Sequence, residues 1–298
     1  MIIPLTNRIS MAFFRPAFLF VLFPLLFCGC GPHDDHVRIL GVEYSRPAGE
    51  PLKFDFVRPQ GNGPFPLVVC IHGGGWRKGD RSEYAEFQST MAGKGVATVS
   101  VQYRLAPDAK FPVQLEDIRN ALQFVLTDRK RFPVDPKRVM WLGGSAGGHL
   151  ALLAGFEKRD DFETRLIVNV AGPADLRTFK SLPSGDANLK KYVTRDSSEL
   201  LADLLGTADR TADIYRIASP VEHLRPGGPR VLTLHGDQDD IVPISQSEAL
   251  HAKLREMQVP EKLIRIPGGG HDMGAWNADE RLKALIEVVD AIEAEAQK

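Results

Sequence analysis

Within "RVMWLGGSAGGHLALLAG" a serine, Ser145, is framed two positions on either side by Gly143 and Gly147. A strand-like apolar run precedes it, and an alanine- and leucine-rich helical run follows. A serine on a sharp strand-to-helix turn sits in strained backbone, so its neighbours two positions away must be small. Its hydroxyl then points outward at a helix N-terminus, where developing negative charge is favoured. The chemistry this suits is nucleophilic attack on an acyl carbonyl. A hydroxyl attacks poorly until a base takes its proton, and a histidine base needs a carboxylate to fix its tautomer. A glycine turn that merely packs helix on sheet is the plainer reading, and the strand and helix flanks count against it.

Downstream of Ser145, two turns each follow a strand-like run: "LTLHGDQDDIVP" and "IPGGGHDMG". His271, in the second, is read as the base. Asp237, Asp239 and Asp240 are all eligible acids in the first. In a turn of the form H-G-x-x-D the closing aspartate faces the base, which selects Asp239. Asp237 is read as bracing its own turn, and Asp272, next to the base, is badly placed to turn back to it. His149, on the helix after the serine, and His235, at a strand end, are read as structural. Upstream, "HGGGW" follows the run "PLVVCI". Attack on a carbonyl creates an oxyanion that needs preorganised N–H donors, and glycines leave backbone amides bare. Gly73 and Gly74 are the expected donors, with the N–H of Ala146 after the nucleophile. Trp76 is a candidate pocket wall, with packing beneath a cap as the alternative.

These turns need a frame. "VRILGVEYS" and "LKFDFVRP" alternate apolar and polar residues, as an edge hairpin would. "PLVVCIH", "GVATVSVQY", "RVMWLG", "RLIVNVAG", "RVLTLHG" and "KLIRIPG" are short runs suited to strands buried on both faces. Helical patterns alternate with them, including "SEYAEFQSTMAGKG" and "QLEDIRNALQFVLTDRKRF", where Leu115, Ile118, Leu122 and Val125 recur at helical spacing. The fold class is α/β: a mostly parallel sheet of about eight strands with helices on both faces. From Pro173 to Pro220 the rhythm breaks. That segment carries "SSELLADLLG", a short helix, and is read as a small helical cap over the strand ends.

Hydrophobic residues at 43 % and charged residues at 25 % suit a soluble enzyme domain. A formal net charge of −1 offers no basic field for nucleic acid. At the N-terminus, Arg8 and Arg15 precede "PAFLFVLFPLLF" (16–27), too short to span a bilayer as a helix. Residues 1–30 are read as an export signal, 31–36 as a polar tether and 37–298 as one catalytic domain with its cap at about 173–220. Cys70 lies inside an apolar strand, so the mature domain has no partner for an internal disulfide.

The segment "FCGCG" resembles a bacterial lipoprotein signal, with Gly29 before a lipidated Cys30, although Phe27 stands where that signal commonly has an aliphatic residue. The resemblance implies membrane attachment through Cys30. Across 37–298 the chain resembles the α/β-hydrolase superfamily, and within it the bacterial carboxylesterases around hormone-sensitive lipase and their acetylxylan and feruloyl esterase relatives. "HGGGW", "YRLAP", "GGSAGGHLA", "ASPVEHL", "HGDQDDIVP" and "GGGHDMG" carry it. It implies an α/β-hydrolase fold and hydrolysis of small or polysaccharide-linked acyl esters by Ser145, His271 and Asp239, without cofactor or metal. "GGHL" points within that group towards acetylated or feruloylated sugars. Tyr103, Arg104 and Asp117 are read as a brace. Two other readings share the motifs: a peptidase or an amidase such as an arylformamidase, and a catalytically silent binding protein on the same fold. Nothing in the sequence sets the oligomeric state.

Overall fold

The computed structural model describes residues 36–180 and 197–298. The signal, Cys30 and the tether up to residue 35 lie outside the described residues, as does the central part of the cap. Strand β1 (His36–Ser45) begins one residue before the expected domain start, because His36 already pairs with Pro59.

Eight strands form one sheet in the order β1-β2-β4-β3-β5-β6-β7-β8. The others are β2 (Leu52–Pro59), β3 (Phe65–Ile71), β4 (Ala97–Val101), β5 (Val134–Gly144), β6 (Thr164–Val170), β7 (Arg230–Gly236) and β8 (Glu261–Ile266). β2 runs antiparallel to both β1 and β4, and every other pairing is parallel. The turns leaving β3, β5, β7 and β8 therefore all emerge on one edge, the C-terminal edge, where open parallel sheets hold their sites.

Period-two alternation sends successive side chains of one strand into two cores. Val69 and Ile71 join Phe54, Trp141, Leu150 and Ile118 on one face, while Val68 and Cys70 join Met140, Phe87, Met91 and Ile292 on the other. The first face is covered by α2 (Val113–Thr127) and α3 (Ala146–Phe156), the second by α1 (Ala85–Gly93) and α7 (Ala278–Ala296). Both faces of β3 are thus shielded, which is why its sequence is continuously apolar. Cys70 is fully buried, and burial pushes its thiol well above the ordinary range, so it behaves as a small apolar side chain. The helix expected from Ser82 opens as a 3-10 turn, Arg81–Tyr84, before α1. Its start is fixed by a capping box: Asp80 accepts from Ser82 N–H, and Glu83 accepts from Asp80 N–H.

Between β6 and β7 the chain inserts α4 (Ser197–Leu205) and α5 (Asp213–Ile217). The insert is tied to the β4–α2 loop by Phe111 N–H donating to Leu204 O at 2.8 Å. Its root is held by Gln246 of α6 (Ser245–Glu256), whose Oε1 accepts from Ala174 and Asp175 N–H at 3.0 and 2.9 Å.

The loop after β4 has its own brace. Asp117 of α2, 1 % exposed at its side chain, accepts from Arg104 N–H at 2.9 Å and from the guanidinium at 2.7 to 3.1 Å. Removing the carboxylate strands the Arg104 amide. Asp117→Ala is expected to lower stability by about 2 kcal/mol, read as a shift in the urea midpoint. An unchanged midpoint would mean the brace contributes nothing.

Candidate active site

Ser145 sits between β5 and α3 with φ 53° and ψ −121°, a conformation that side-chain-bearing residues rarely hold. Its N–H donates to Val170 O at 2.7 Å, which pins the turn to β6. The flanking glycines are required by contact. A Cβ on Gly143 would lie 2.3 Å from the Gly147 carbonyl group, and one on Gly147 would lie 2.0 Å from the Ile71 oxygen. The elbow is thus pressed backbone to backbone against the end of β3, and glycine at both positions lets it close.

The turns after β7 and β8 meet beside it. His271 Nε2 lies 3.0 Å from Ser145 Oγ, and His271 Nδ1 lies 2.7 Å from Asp239 Oδ2. The other carboxylate oxygen, Oδ1, accepts from Ile241 and Val242 N–H at 3.0 and 2.9 Å. A carboxylate only accepts, so the His271 proton belongs on Nδ1, and Nε2 offers its lone pair to the serine hydroxyl. The two turns are stitched together. Gln238 N–H donates to Gly269 O at 2.9 Å, and a Cβ on Gly236 would lie 2.1 Å from that same oxygen. Asp237 Oδ1 accepts from the Gln238 side chain of its own turn at 3.3 Å, but its shorter bond, 2.8 Å from Gly268 N–H, braces the histidine loop. Trp276, which the sequence reading passed over, donates from Nε1 to Gly270 O at 2.7 Å.

Electrostatics suit proton transfer. Burial alone would raise the Asp239 pKa. The charge of His271 and the donors around the carboxylate outweigh it, holding the group well below the ordinary carboxylate range. For His271, burial works to lower the pKa, but Asp239, with Asp240 and Asp272 nearby, prevails and raises it above 6.5. His271 must be neutral to accept a proton, so proton-accepting capacity is lost as pH falls through that raised value.

At the end of β3, Tyr84 and Tyr103 donate to the carbonyls of Ile71 and His72, each at 3.0 Å. A trans peptide turns the Gly73 N–H away from the His72 carbonyl that Tyr103 holds. No acceptor among the described residues is paired with the N–H of Gly73 or Gly74. Ala146 opens α3, where the first N–H groups have no intrahelical partner. The glycines also meet a local demand. Gly74 has φ +99° and a Cβ there would lie 2.2 Å from Lys78 O, while Gly75, at φ +61°, faces Leu200 of the cap helix.

Trp76 is buried and packed edge-on against His149. It is 2 % exposed, and its Nε1–H donates to His149 Nδ1 at 3.2 Å. His149 in turn donates from Nε2 to Ala218 O of the cap at 2.7 Å, and burial lowers its pKa to about 4, so it is a neutral strut. His235, read as structural, does touch the site: its Nε2 stands 3.2 Å from Asp239 Oδ2.

With that geometry in hand, similarity to known proteins becomes informative. The model of the BD-FAE family matches residues 54–254, well over half of the chain. The chain belongs to the BD-FAE family. It has the α/β-hydrolase fold of solved structures that include a carbohydrate esterase from gut microbiota and a bacterial heroin esterase. The first aligns with a TM-score of 0.71 at 20 % identity, over 90 % of this chain and 99 % of that one. The second aligns with a TM-score of 0.72 at 23 % identity, over 89 % and 86 %. Among sequence relatives, Esterase LipC of Mycobacterium tuberculosis is 26 % identical over 258 residues, covering 82 % of this chain and 62 % of LipC. A relative named "Probable carboxylic ester hydrolase LipM", of the same organism, is 30 % identical over 207 residues, covering 65 % and 46 %. The chain thus spans between about half and about three-fifths of the length of these relatives.

The elbow contact gives a direct test. Gly147→Ala forces backbone apart at two strand ends and is expected to cost about 2–3 kcal/mol in urea unfolding. A wild-type midpoint would refute the close approach.

Proposed function

We propose that this protein is a serine hydrolase of carboxylic esters that works through an acyl-enzyme. The observation that carries the reading is the file of Ser145 Oγ, His271 and Asp239 with contacts of 3.0 and 2.7 Å. Ser145 Oγ attacks the ester carbonyl carbon while its proton passes to His271 Nε2. Asp239, ionised and hydrogen-bonded to Nδ1, stabilises the imidazolium. The tetrahedral oxyanion accepts from the N–H groups of Gly73, Gly74 and Ala146. Collapse breaks the bond to the alcohol, which leaves with the proton from His271. Water, deprotonated by His271, then attacks the acyl carbonyl and releases Ser145.

Relatives named as esterases support the ester class, and a neighbour named as a carbohydrate esterase supports acyl groups on sugars, acetyl or feruloyl, as substrate. Ser145→Ala is expected to abolish p-nitrophenyl acetate turnover and labelling by a fluorophosphonate, with folding retained. Activity persisting in that variant would remove Ser145 as nucleophile. Acetylated xylan and feruloyl esters, assayed beside short-chain esters, test the sugar preference.

We further propose export and membrane attachment through a lipidated Cys30, on the sequence pattern of residues 8–30. Because β1 starts at His36, the five residues between would hold the domain within roughly 20 Å of the anchor. Cys30→Ala is expected to move the protein from the membrane to the soluble fraction. Retention on the membrane would overturn the anchor.

A further inference from the structure

His235 occupies the penultimate position of β7 and is fully buried. Its Nδ1 lies 2.7 Å from Ser247 Oγ on α6, and its Nε2 lies 2.7 Å from Val242 O and 3.2 Å from Asp239 Oδ2. Both oxygens at Nε2, a carbonyl and a carboxylate, can only accept. A lone pair on Nε2 would face both of them, so the ring proton sits on Nε2, and Nδ1 accepts the Ser247 hydroxyl. The Nε2–H is bonded to Val242 O, and Asp239 Oδ2 stands 3.2 Å from the same nitrogen while the Nδ1–H of His271 reaches it at 2.7 Å.

We propose that His235 is a positioning residue for the Ser145–His271–Asp239 file, its Nε2–H holding the carboxylate in place and moderating the pull of that carboxylate on His271. The inference rests on the serine-hydrolase reading above. The N–H dipole of His235 beside Oδ2 stabilises the carboxylate charge, and a carboxylate stabilised in this way pulls less strongly on His271. Asp239 is held ionised partly through His235, alongside the charge of His271. With the second donor removed, the negative charge concentrates on the His271 hydrogen bond. The imidazolium gains, the pKa of His271 rises further, and less of the neutral base is present at any given pH.

The other charged groups nearby stay fixed in such a variant. Arg265, the register partner of His235 on β8, is ion-paired with Glu248 of α6 at 2.5 Å. Asp240 and Asp272 act on His271 from its own side of the site. The strand on the opposite flank, β6, ends at Val170 and is followed by Ala171, and neither carries a charge.

The test uses the full chain and compares wild type with His235→Phe, which keeps a ring but removes the donor, and His235→Gln, which returns an N–H near the same place. The readouts are the pH profile of kcat/KM with p-nitrophenyl acetate and the NMR titration of the His271 imidazole, which needs no turnover. In the wild type the acid limb is expected above pH 6.5. In H235F it is expected to move up by about half to one unit, and in H235Q to return most of the way. A folded H235F whose limb and titration coincide with wild type overturns the proposal. If H235F does not fold, Ser247→Ala decides, since losing the hydroxyl at Nδ1 weakens donation from Nε2. Its limb should move the same way by less, and an unmoved limb overturns the proposal. A wild type that takes no fluorophosphonate label would bring down the serine-hydrolase reading and this inference together. A labelled wild type with a limb indifferent to His235 brings down this inference alone.

Discussion

The site depends on one close approach. Gly147 meets the carbonyl end of β3 so tightly that a methyl group there would lie 2.0 Å from the Ile71 oxygen. This contact turns the chain sharply enough to hold Ser145 at positive φ, and it sets the serine beside the loop that offers bare amides. Strained backbone of this kind persists only where its surroundings over-determine it. Here the surroundings are a central parallel sheet buried on both faces, with Tyr84 and Tyr103 holding the two carbonyls that the elbow abuts.

A second constraint is electrostatic. Asp239 is 3 % exposed, and a buried carboxylate is costly unless its oxygens are satisfied. Two backbone N–H groups and His271 supply that satisfaction, with the His235 ring 3.2 Å away, so the carboxylate is ionised and fixed in orientation. Fixing the acid fixes the tautomer of His271, and the tautomer decides which nitrogen faces the serine. Polarity at the serine is therefore decided two residues back from it.

The cap belongs to the same machine through packing. Trp76 follows the glycine loop, His149 follows the elbow, and Ala218 closes the cap. A chain of buried hydrogen bonds links the three, so the loop that presents Gly73 and Gly74 is anchored to the insert above it. Gly75 adds a van der Waals contact with Leu200. These contacts tie the position of the glycine loop to that of the insert.

Much of this was legible in the order of residues. Continuous apolar runs specify strands shielded on both sides, and Gly-x-Ser-x-Gly after such a run specifies an elbow, because local sterics allow little else. The H-G-x-x-D spacing selected Asp239, since a short turn leaves few directions for its side chain. What depended on distant chain was not legible. The indole of Trp76 is buried because His149, some seventy residues on, accepts its N–H. Asp237 reaches Gly268 across two loops, and His235 lies against the carboxylate that also meets His271, thirty-six residues away. Sequence by itself determined the strand and helix frame and the turns able to carry a nucleophile, base and acid, because those follow from periodicity and backbone sterics within a few residues. Only the tertiary structure decided which buried polar atoms meet, because hydrogen-bond satisfaction in a core is settled by neighbours in space.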